Sequence, residues 1–167
     1  ESLAMLEKDN GDVYFVPAFS GLFSPHWDET ARGSLFGLTR FSNKSHMARA
    51  VLESVAFQTY ELLESMEKDL DTDFESLKVD GGMVANNLLM QFQSDILDKS
   101  IHSQEINEIT ALGVGVASYL YVLDLPLSSM GNYITSSKTW NPNMSNETRI
   151  NSLESWYKAI EKAKNWL

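Results

Sequence analysis

The stretch 78–97, "KVDGGMVANNLLMQFQSDIL", constrains this chain more than any other. It reads as a buried strand rising into Asp80, a tight turn through Gly81 and Gly82, and a helix whose Leu88, Phe92 and Ile96 stand four apart. A strand and a helix joined so tightly let the chain double back across a sheet, which points to an α/β layer architecture. In such sheets ligands sit at the C-terminal ends of strands, where this turn falls. Glycine has no Cβ, so the backbone at Gly81 and Gly82 can take positive φ and approach a ligand closely, and the helix start that follows offers N–H groups to an anion. Asn86 adds an amide that can both donate to and accept from a purine edge. The residues alone leave a second alternative open, a plain strand-to-helix turn capped by Asn86 or Asn87, because the glycine pair lacks GxGxxG or Walker spacing.

The remaining elements fit the same architecture. Short strands are expected over 13–17 and 33–39, joined by the ordered, aromatic-rich "PAFSGLFSPHWDETARG". A long helix is expected over 46–68, capped by Asn43 or Ser45 and buried nearly all round in its first half. "SIHS" reads as a strand and "ALGVGVASYLYVL" as a helix capped by Thr110, with Gly113 and Gly115 allowing a neighbour to come close. A polar stretch from Pro126 to Asn146 precedes a last helix with Leu153, Trp156, Ile160, Ala163 and Leu167 on one stripe. The opening "ESLAMLEKDNGD" has no initiator Met and starts inside an apolar helix pattern, so the 167 residues are expected to be a piece of a longer protein.

Composition excludes several classes of function. With 23 acidic and 13 basic residues, net charge -10, the chain repels phosphate backbones and anionic lipid, so neither a nucleic acid nor a membrane surface is an expected partner. A single bound nucleotide is not excluded, since oriented N–H groups act locally. The absence of cysteine rules out disulfides and thiolate metal sites and suits a cytoplasmic location. No stretch reaches the roughly 20 apolar residues of a membrane span. His26, His46 and His102 are scattered without metal-ligand spacing, Ser20 is not in a nucleophile elbow, and Asp28, Arg32 and Glu53 suit structural ion pairing. Trp140, Trp156 and Trp166 suit packing.

Three segments, "VPAFSGLFSPHWDETARGSLFGLT", "HMARAVLESVAFQT" and "DGGMVANNLLMQFQSDIL", resemble the C-terminal domain of the FGGY family of sugar and polyol kinases. Gly33, Leu35, Gly37 and Leu38, then His46, Met47, Ala50, Val51, Leu52 and Glu53, meet the family's second signature at every position. The resemblance runs from about Val13 to Leu123 and is strongest to the branch that phosphorylates glycerol. It implies an actin-like, ribonuclease-H-like ATPase domain, with residues 1–167 forming the nucleotide-side, C-terminal part of a two-domain sugar kinase. By position Gly82 and Asn86, with Gly81 beside them, match the family's ATP contacts. The implied partners are ATP with Mg²⁺ and glycerol, a homo-oligomer is compatible, and the catalytic aspartate and polyol ligands belong to motifs upstream of Glu1. The isolated chain is therefore expected to be inactive. The alternatives are another FGGY carbohydrate kinase and a non-catalytic, actin-like nucleotide-binding module.

Overall fold

The computed structural model describes residues 1–104, 109–129 and 136–167. Its elements alternate between strand and helix. Strands β1 (Tyr14–Val16) and β2 (Ser34–Phe36) form an antiparallel hairpin. Helix α1 (Lys44–Leu70) leads to β3 (Ser76–Val79), then α2 (Asn87–Leu97) and β4 (Ser100–Gln104). Helix α3 (Ile109–Val122), strand β5 (Ser136–Trp140) and helix α4 (Asn146–Ala163) follow. The second sheet has the order β3-β4-β5, with β3 and β4 parallel and β5 antiparallel to β4. The β3-α2-β4 crossover is the α/β unit expected from residues 78–97, but β3 is not the buried strand expected: it lies at the edge of the sheet, with Ser76 and Lys78 exposed and Leu77 and Val79 half-buried.

Helix α1 starts two residues earlier than expected because Asn43 caps it. The Asn43 side-chain oxygen accepts from Ser45 N at 2.8 Å and His46 N at 3.3 Å, and His46 Nδ1 accepts in return from Asn43 N. Ala50, Glu53, Ser54, Ala56 and Phe57 are buried, but Val51 and Val55 face outward, so the first half of α1 is not buried all round. The core lies where α1, α2 and α4 meet. Phe57 stacks on Trp156 with ring centroids 5.0 Å apart and receives the edge of Phe92 at 5.5 Å. Leu153, Trp156, Ile160 and Ala163 form the buried stripe of α4, whereas Leu167 is exposed because the helix has ended.

Three other expectations change. Strand β5 occupies a stretch expected to be loop, and Thr110 lies inside α3 rather than before it. Among the described residues, a Cβ at Gly113 or Gly115 would meet nothing within 4 Å. Gly37 is different: at φ +81 it ends β2, and a Cβ there would lie 1.9 Å from the Asp12 carbonyl oxygen, so only glycine fits.

Candidate functional site

The turn at the end of β3 is built from backbone. Val79 closes the strand, Asp80 is exposed, and Gly81 takes φ 87 and ψ 177, a conformation essentially restricted to glycine. Gly82–Ala85 then form one turn of 3₁₀ helix, with Val84 N donating to Gly81 O at 3.2 Å and Asn86 N to Met83 O at 3.0 Å. This turn is thus split from α2, and Asn86 sits at the joint, one of the two cap positions the sequence offers. Its φ and ψ of -83° and 100° are extended, and its Oδ1 accepts from Leu89 N at 3.0 Å, capping α2.

That split changes which donors face outward. The first turn of α2 is already engaged, since Asn86 takes Leu89 N and the Glu1 carboxylate takes Leu88 N at 3.1 Å. The N–H groups of Gly82 and Met83 have no hydrogen-bond partner among the described residues, nor does the Asn86 Nδ2. A Cβ at Gly81 or Gly82 would meet no protein atom within 4 Å. The arrangement is an open edge with two backbone donors, one side-chain amide donor and no side chain over the glycines. It can receive the face or the oxygens of a planar or anionic ligand.

The other conspicuous residues have structural partners. His26 Nε2 lies 2.8 Å from Glu61 Oε1, and the His102 ring meets Thr139 Oγ1 at 2.9 Å. Asp28 Oδ1 accepts from Thr30 N, Thr30 Oγ1 and Ala31 N, and its Oδ2 accepts from Asn165 N. Those bonds, the Thr30 hydroxyl foremost, hold the Asp28 carboxyl below its usual range. Arg32 donates to the backbone of Glu29 and Ala31 rather than to a carboxylate. Glu53 pairs with Arg49 at 2.8 Å, yet burial outweighs that pairing and raises its pKa to about 7. Trp140 and Trp156 pack in the core, but Trp166 is 65% exposed and packs nothing comparable. Lys138, on β5, drew no attention from sequence because no motif surrounds it; its ammonium contacts Asn87 Oδ1 and lies 4.9 Å from the Trp140 ring centroid.

Residues 1–119 match the FGGY family of carbohydrate kinases, C-terminal domain. The chain belongs to this family. Across its full length it is 46% identical to a glycerol kinase of Brucella anthropi, and 49% identical over 99% of its length to one of Nocardia farcinica. It covers 34% of each of those relatives, so the chain spans about a third of the length of the proteins it matches. A crystal structure of Plasmodium falciparum glycerol kinase with ADP superposes with a TM-score of 0.88 at 34% identity, over 97% of this chain and 33% of that one. A xylulose kinase from Lactobacillus acidophilus reaches 0.76 at 24% identity, over 96% of this chain and 32% of that one, a likeness of fold alone. The FGGY domain thus has the actin-like, ribonuclease-H-like α/β fold, with the glycine turn at the C-terminal end of a parallel strand.

Proposed function

We propose that the full-length protein phosphorylates glycerol to glycerol 3-phosphate with ATP, and that this domain supplies the nucleotide side of the site. The observation that carries the reading is the open Gly81-Gly82 turn, whose Gly82 and Met83 N–H groups, beside the Asn86 amide, have no partner among the described residues. Phosphoryl transfer needs positioning and neutralisation of charge more than covalent chemistry from the protein. Backbone donors approach a phosphate or ribose edge without a side chain in the way, and Asn86 Nδ2 donates to a purine acceptor while its oxygen stays fixed by Leu89 N. Among the described residues no group of three or more His, Asp or Glu is placed to hold a metal ion. The divalent ion, the base that takes the glycerol proton and the polyol ligands are assigned to the other part of the protein. No helix of the described residues is long and apolar enough to cross a membrane; a cytoplasmic location is our reading, supported by the absence of cysteine from these 167 residues.

Glycerol is favoured over other polyols because relatives at 46% and 49% identity are glycerol kinases, whereas the xylulose kinase stands at 24%. ADP release by the full-length protein, measured with glycerol, xylulose and gluconate in turn, checks both statements. Glycerol should give the highest kcat/KM. Turnover only with a sugar would move the protein to another branch, and no turnover with any acceptor would leave a nucleotide-binding module.

A further inference from the structure

We propose that Lys138 is a nucleotide-binding residue, its ammonium donating to acceptor atoms of the ligand held at the glycine turn; the inference rests on the nucleotide reading above. The sheet register brings it there. Val79 pairs with Ser103 and Ser103 pairs with Lys138, so the last residue before the turn and Lys138 lie in one row across the three strands. Side chains in such a row share a face of the sheet. The adjacent in-phase row, Leu77, Ile101 and Trp140, is the one that packs into the core, and α2 lies against that face. Lys138 therefore reaches from the strand edge to the first residue of α2, where its ammonium contacts Asn87 Oδ1. Asn87 is the immediate neighbour of Asn86.

Charge pairing within the domain does not account for a cation at that place. The N-terminal end of a helix carries the positive end of its dipole, which disfavours a lysine. No carboxylate among the described residues forms an ion pair with Lys138, although the chain carries 23 acidic residues. Glu1 bonds the same helix turn through Leu88 N and does not pair with the lysine. Asn87 Oδ1 and the Trp140 ring nonetheless hold the ammonium in place. An ammonium has three donors, of which Asn87 uses one. Phosphate oxygens and purine ring nitrogens are both acceptors that the remaining two could meet.

The test is equilibrium titration of the full-length protein with ATP, ADP and adenosine, on wild type, Lys138→Gln, Lys138→Arg and Asn86→Asp, with thermal unfolding of each. Lys138→Gln should weaken ATP binding about tenfold with an unchanged unfolding midpoint, and Lys138→Arg should retain most of the affinity. A loss that fades from ATP to adenosine puts the contact on phosphate, and an equal loss for all three puts it on the purine. Wild-type ATP affinity in Lys138→Gln overturns the proposal, as does an equal loss in both lysine variants accompanied by a lower midpoint, which would make Lys138 a packing cap on Trp140. If Asn86→Asp weakens ATP binding while Lys138→Gln does not, the lysine assignment alone fails; if neither does, the nucleotide reading fails with it.

Discussion

Asn86 divides its amide between two tasks. Its oxygen caps α2 through Leu89 N, and its nitrogen is left to donate outward. The cap and the ligand contact, which are alternatives in the sequence, are compatible in the structure. Asn86→Asp keeps the acceptor and removes the donor, so stability should hold while ATP affinity falls by roughly 1–3 kcal/mol, about fivefold to 150-fold. Titration calorimetry of the full-length pair, beside thermal melts, checks this; equal dissociation constants would leave Asn86 a cap alone. Glu53 offers a separate test of burial. Because its folded pKa of about 7 lies above the ordinary 4.5, the native state holds the proton more tightly than the unfolded chain. Its stabilising contribution is full below about pH 4.5 and is lost as pH rises towards 7, by an amount on the order of 3 kcal/mol. Between pH 5 and pH 8 wild type should lose unfolding temperature relative to Glu53→Gln. Parallel pH profiles would show that Glu53 ionises as freely in the fold as outside it.

At the scale of elements, Gly37 and Asn43 carry local geometry that packing cannot replace. Gly37→Ala sets a Cβ against the Asp12 carbonyl in a left-handed backbone and should cost about 2–4 kcal/mol, measured by chemical denaturation. A loss under 1 kcal/mol would mean the hairpin end relaxes freely. The helices were legible because their apolar periods are strong: α1 runs close to its expected bounds, capped by Asn43, and α4 buries its expected stripe up to Ala163, where it ends short of Leu167. Strand β5 was not, since "SSKTW" holds one apolar residue, and its strand state comes from pairing with β4 rather than from its own pattern. The start of α2 was half legible: Asn86 was one of two cap candidates, but the separate 3₁₀ turn over Gly82–Ala85 was not foreseen. "GGMVANNLLM" has no proline or charge to mark it, and only the Leu89 N bond shows where α2 begins. For the same reason the expected donors shifted from the start of α2 to Gly82 and Met83, because a capped helix end has few N–H groups to spare.

At the largest scale, the chain spans about a third of its relatives' length, and its parallel strand ends in a turn open to a ligand. Purified alone, residues 1–167 should release no ADP in response to glycerol if, as proposed, the acceptor-side groups lie outside them; turnover above a trace would put catalytic groups within this chain. The decisive variant is Gly82→Val. A Cβ at Gly82 meets no protein atom within 4 Å, and Gly82 is not in a left-handed backbone, so the substitution should leave folding nearly intact. It would fill the space that a nucleotide must enter. Steady-state kinetics of the full-length wild type and Gly82→Val, with ATP and glycerol varied separately, should show an ATP KM raised about tenfold or more and a glycerol KM nearly unchanged. An unchanged ATP KM, or ATP and glycerol values that rise together, would contradict the placement of the nucleotide at this turn.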